Sequence, residues 1–136
     1  MKILLIENNP TVVHEVCSIL AKNRFDTVLA TTVEEALTFF GSGTPLQMVI
    51  ADVEIIGKEN FDIVKFLNTN YQSISVPVIL CGNSAEKASI VKSMSLGAHD
   101  FLVKPIKSDV LLRKVNSALG KDKGSVLLVD DEKLIL

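Results

Sequence analysis

An α/β domain with a doubly wound parallel sheet, three layers deep, is the fold class that three observations predict. Short β-branched and aliphatic runs recur along the chain, and the segments between them carry apolar residues at helical spacing. The runs are also apolar on nearly every residue, as strands covered on both faces must be.

Lys2 to Ile6 is the first strand. Asn9 followed by Pro10 then supplies an N-cap with proline at the first helical position, and Val12, Val13, Val16, Ile19 and Leu20 form the stripe of a first helix. Thr27 to Thr31 is the second strand, and Thr32 to Glu35 matches a capping box for a helix marked by Val33, Ala36, Leu37 and Phe40. Met48 to Ala51, Val76 to Leu80 and Asp100 to Val103 complete the strands. Phe61, Val64 and Leu67 mark a third helix; Ala88, Val91 and Met94 mark a fourth. Leu111, Leu112, Val115, Ala118 and Leu119 mark a fifth, bracketed by Ser108 and Gly120. Right-handed crossovers then put helices on both faces of a (βα)5 sheet.

Composition narrows the function classes. At 136 residues, 48% apolar, the chain can bury one core of ordinary size but not two. Its mean hydropathy of +0.37 is high, yet charges interrupt every apolar run before the roughly 18 residues of a membrane span, so the excess reads as a buried sheet. Glu7 ends the amino-terminal apolar run early, against a signal peptide, and the expected location is the cytoplasm. A net charge of −2 with scattered Lys and Arg argues against nucleic acid as a partner. Cys17 and Cys81 fit neither a zinc nor a disulfide spacing and read as plain buried thiols. His14 and His99, unpaired with acid or cysteine, read as surface or boundary residues.

In a doubly wound sheet the ligand site lies beyond the carboxyl ends of the strands. Glu7 and Asn8 follow the first strand, Asp52 the third, Gly82 the fourth and Lys104-Pro105 the fifth. Each alone is an ordinary polar strand end. Together, two acids and an amide oxygen suit a hard divalent cation such as magnesium, and an aspartate flanked by a cation and a lysine suffices for phosphoryl transfer. Asp52 is the candidate nucleophile.

Ile3 to Pro10, Met48 to Asp52, Val76 to Leu80 and Gly97-Ala98-His99-Asp100-Phe101-Leu102-Val103-Lys104-Pro105 resemble the response-regulator receiver domain of two-component signalling, over residues 2 to about 119. The resemblance implies a flavodoxin-like fold in which Asp52 accepts phosphate from a histidine kinase or histidine phosphotransfer protein, and in which Lys104 contacts that phosphate. It implies magnesium at Glu7, Asn8, Asp52 and the backbone carbonyl of Glu54. It further implies switch positions at Gly82 and Phe101, a cis peptide before Pro105, and signalling through roughly Glu86 to Leu119.

The departures from the family pattern carry their own expectations. Asn8 stands where a second acid is usual, so metal affinity should drop. Gly82 replaces a small hydroxyl residue, so the usual switch linkage looks broken; Ser84 is a weak substitute. The usual Pro-Gly turn after the acceptor strand is replaced by Ile55-Ile56-Gly57-Lys58. A working phosphoacceptor switch therefore competes with a degenerate receiver kept as a phosphorylation-independent binding module. A flavin binder or aspartate-nucleophile phosphatase fits less well, because Glu7-Asn8-Asn9-Pro10 is neither a phosphate loop nor Asp-x-Asp.

Val126-Leu127-Leu128-Val129-Asp130-Asp131-Glu132 echoes Ile3-Leu4-Leu5-Ile6-Glu7-Asn8-Asn9 across the glycine-flanked polar stretch 120–124. The expected division is a receiver domain at 1–119, a linker at 120–124 and, at 125–136, the first strand of a second, truncated receiver-like domain. A sixth strand on the same sheet is the alternative. The parent would carry a further receiver or output domain.

Overall fold

The computed structural model describes residues 2–58, 60–69, 76–83, 87–120, 131, 132, 134 and 135. The elements are β1 (Lys2–Ile6), α1 (Pro10–Lys22), β2 (Asp26–Ala30), α2 (Val33–Gly41), β3 (Met48–Asp52), α3 (Val53–Gly57), α4 (Asp62–Thr69), β4 (Val78–Gly82), α5 (Lys87–Ser95), β5 (Asp100–Val103) and α6 (Ser108–Ala118). Five parallel strands form one sheet in the order β2-β1-β3-β4-β5. The two-residue strands β6 (Asp131–Glu132) and β7 (Leu134–Ile135) pair with each other, outside that sheet.

Alternation along each strand divides the interior into two cores. Leu4, Ile6, Val49, Ala51, Val78 and Leu80 face one side and pack with residues of α2, α3, α4 and α5. Ile3, Leu5, Met48, Ile50, Ile79 and Leu102 face the other and pack with Val12, Val16 and Leu20 of α1 and Leu111 and Val115 of α6. The apolar excess of the composition is therefore a sheet buried on both faces, as expected. Among the described residues no helix is long and apolar enough to cross a membrane.

Four local expectations need correction. A five-residue helix, α3, occupies Val53–Gly57 where an altered turn was expected; the Asp52 side chain caps it by accepting the Ile55 N–H. β4 begins at Val78, two residues late, after Pro77, which has no N–H to donate. Ser108 is the first residue of α6 rather than its cap, and Lys107 precedes it without a side-chain cap bond. In α2 the Thr32 hydroxyl accepts the Glu35 N–H, but the Glu35 carboxylate returns to the N–H and hydroxyl of Thr31, one residue beyond the expected box. Ser84 and the segment 125–130 lie outside the described residues.

Candidate functional site

β1, β3 and β5 deliver three charged groups to one point on the carboxyl rim of the sheet. Glu7 follows β1 directly, its N–H donating to the Ala30 carbonyl at 3.0 Å, so its side chain turns under the rim and is 1% exposed. Asp52, the last residue of β3, is 5% exposed. Lys104 is placed by its own N–H, which donates to the Gly82 carbonyl at 2.9 Å, and by the cis peptide to Pro105 that follows. Its ammonium lies 2.7 Å from Asp52 Oδ1 and 3.0 Å from Glu7 Oε1.

The other two carboxylate oxygens are held by backbone donors. Glu7 Oε2 accepts the N–H groups of Asn8 and Asn9, each at 3.2 Å, and Asp52 Oδ2 accepts the Ile55 N–H at 3.0 Å. The fourth oxygen, Glu7 Oε1, has Lys104 as its partner, at 3.0 Å. Burial opposes the charge on Lys104, but hydrogen bonds and attraction from Asp52 and Glu7 outweigh it and raise the lysine pKa above its ordinary value.

Of the residues expected to hold a divalent cation, Glu7 and Asp52 are brought together and the other two are not. Asn8 is exposed and lines a groove with Thr31, Thr32, Glu34 and Lys58. Glu54 is exposed in the first turn of α3. Among the described residues no three His, Cys, Asp or Glu side chains form a metal-holding group. The donor set is therefore two carboxylates already neutralised in part by an ammonium, which on charge is a poor match for a divalent cation, although magnesium takes part of its octahedral shell from water and phosphate.

Gly82 ends β4 beside Val103 and offers no side chain to the cluster. Phe101 is half-buried against the core on the α2–α5 side. Sequence reasoning missed what holds it: the Lys114 ammonium stands 5.0 Å from its ring centroid, donates to the Phe101 carbonyl at 2.6 Å and pairs with Asp100 Oδ1 at 3.0 Å. The signal was an acid just before Phe101 and a lysine inside the following helix, a link that only the packing of α6 on β5 creates. Cys81, beside Asp52 in the β3–β4 ladder, is no nucleophile, since burial first and the Glu7 charge second push its thiol up to about 12. Cys17 is half-buried, with its thiol also raised by burial. His14 and His99 are exposed.

Comparison with known proteins gives one consistent result. The family model described as response regulator receiver domain matches residues 3–116. The sensory transduction protein BceR of Halalkalibacterium halodurans is 30% identical over 120 residues, covering 88% of this chain and 50% of BceR. Protein PilH of Pseudomonas aeruginosa is 23% identical, with 88% of this chain and 98% of PilH covered. A solved two-component response regulator from Clostridium difficile superposes with a TM-score of 0.77 at 20% identity, over 91% of this chain and 99% of that one, and shares the fold. The chain spans half the length of BceR and a smaller share of some longer relatives.

Proposed function

This chain belongs to the response regulator receiver domain family, and on that premise we propose that Asp52 accepts a phosphoryl group from a histidine kinase or histidine phosphotransfer protein and passes the signal on through protein contacts. The single observation that carries the reading is the Lys104 ammonium 2.7 Å from the buried Asp52 carboxylate at the sheet's carboxyl rim. Receiver domains generally bind magnesium for phosphorylation; here the group in hand is Lys104. An Asp52 oxygen forms a bond to phosphorus while the bond to the donor's imidazole nitrogen breaks, and that nitrogen keeps the electron pair. Phosphoryl transfer needs little beyond alignment and charge neutralisation, and Lys104, beside the attacking carboxylate, supplies a positive charge where the phosphoryl oxygens arrive.

Partners follow at the level of class. Response regulators interact with histidine kinases and output domains; the relatives include a DNA-binding regulator, MtrA of Mycolicibacterium smegmatis. For this chain a cytoplasmic location and a further receiver unit starting at residue 125 belong to the same proposal. Two points support the second unit. The echo of β1 carries an acidic pair, Asp130-Asp131, after its apolar run. α6 shares a core with α1, whose crossover runs from β1 to the opposite edge. A strand added outside β5 through α6 would need a left-handed crossover, which parallel sheets almost never make.

The test is intact mass spectrometry of the chain after incubation with phosphoramidate and magnesium, beside Asp52→Asn. The expected result is the gain of one phosphoryl group, absent from the variant. A folded protein that gains nothing from phosphoramidate or from a phosphorylated histidine phosphotransfer protein would favour the phosphorylation-independent binding module instead.

A further inference from the structure

We propose that Lys104 is the resident cation of this site and that the Glu7–Asp52 pair does not take up a divalent metal ion. The inference deepens the phosphoacceptor reading of the same site.

Three independent features converge on it. The first is occupancy of the donors: three of the four carboxylate oxygens of Glu7 and Asp52 accept a hydrogen bond from Lys104 or from a backbone N–H, and the fourth, Glu7 Oε1, faces the Lys104 ammonium at 3.0 Å. A magnesium ion, which needs oxygens at about 2.0–2.1 Å, would have to compete with Lys104 and with backbone donors that also shape the rim. Those bonds are structural. Glu7 Oε2 holds the turn into α1 and Asp52 Oδ2 holds the start of α3.

The second feature is charge. Two carboxylates face one ammonium at 2.7 and 3.0 Å, and Asn8 brings none of the negative charge that a second acid would. Adding a dication would turn a net negative cluster into a net positive one beside Lys104, at a point where both carboxylates are nearly fully buried. The third feature is the number of acids. Among the described residues no group of three His, Cys, Asp or Glu side chains could hold a metal ion, and the residue next to Glu7 is the neutral Asn8. A device that usually combines metal and lysine is reduced here to lysine alone, and phosphoryl transfer to Asp52 becomes independent of divalent cations.

The experiment is a titration of the full chain with magnesium chloride, followed by backbone amide resonances of Glu7, Asn8 and Asp52 to Ile55, with Asn8→Asp as the comparison because that position is exposed and tolerates the change. The wild-type resonances should show no saturable shift at millimolar magnesium. Asn8→Asp should show one, with an affinity at least roughly tenfold tighter. Saturation of the wild-type protein at sub-millimolar magnesium would overturn the inference, as would an Asn8→Asp variant that binds no better. In a second readout, the phosphoryl gain from phosphoramidate should survive EDTA, and its loss in EDTA would overturn the inference. A protein that takes no phosphoryl group under any condition defeats the phosphoacceptor reading instead, and the magnesium titration still decides the cation question.

Discussion

Lys104 is the residue on which the rim depends, because Glu7 and Asp52 are buried carboxylates that, among the described residues, pair with this ammonium and no other cation. Removing one partner from a buried charge cluster is costly, since the remaining charges keep their desolvation penalty and lose their attraction. Lys104→Met should therefore destabilise the fold at neutral pH by about 2 kcal/mol, below the fully buried range because the lysine side chain itself is 21% exposed. The pH dependence has a definite sign. The lysine pKa is raised in the folded state, so its contribution is fully present below the ordinary value of 10.5 and is lost as pH rises through the higher folded value. Urea midpoints for both proteins should differ by a constant amount from neutral pH to about 10 and converge above it; a gap that widens in alkali would refute the assignment. Asp52, Lys104 and Glu7 were readable before any coordinates because each follows a strand, and strand ends share a rim by topology alone. That Asn8 and Glu54 are exposed was not legible, because the burial of a loop or helix-end residue depends on local backbone, which adjacency in sequence does not specify.

At the scale of the element, α1 ends in a motif whose residue choice runs against its geometry. Asn23 is the C-cap, Arg24 follows with φ +68°, and the N–H groups of Arg24 and Phe25 donate to the Ala21 and Leu20 carbonyls at 3.1 and 3.0 Å. That is the Schellman pattern, completed by the apolar pair Leu20 and Phe25 in the same core. Glycine is the usual occupant of the left-handed position, where a side chain costs about 1–2 kcal/mol. Arg24 is exposed. Arg24→Gly should stabilise the protein by roughly 0.5 kcal/mol, the strain relieved being offset in part by glycine's greater freedom in the unfolded chain. The check is a higher urea midpoint at unchanged slope; a lower midpoint would mean that the arginine contributes something its exposure does not reveal. The start of α1 was legible as Asn9-Pro10, because caps and prolines act within a few residues; its end at Lys22 was not. α3 was not, since a five-residue helix is too short to show a helical period; it is held by the Asp52 cap and by Val53, Ile55 and Ile56 packing into the core.

For the whole molecule, the expected fold class and the five strands were legible because a sheet buried on both faces writes near-continuous apolar runs into the chain, and helices packed on it need a stripe each. That helices cover both faces followed from crossover handedness, which is a general rule and not a property of any residue; the strand order β2-β1-β3-β4-β5 was not legible, because no local pattern records which strands pair. The same rule yields a prediction about where the domain stops. Among the described residues the two buried cores run from Ile3 to Val115, and the last helix closes at Leu119 with Gly120 at φ +76°. If 125–136 opens a separate unit, ending the chain after Gly120 removes none of the apolar burial that stabilises the sheet, and stability should stay within about 0.5 kcal/mol, the range typical of surface changes. If the segment is instead a sixth strand, truncation uncovers the edge of β5 and strips the apolar contacts of Val126 to Val129, at about 1.5 kcal/mol or more for each side chain re-exposed. Thermal unfolding of the 1–120 chain beside the full chain separates the two: an unchanged midpoint supports two units, and a fall of many degrees would make the tail part of this domain and reverse the crossover argument.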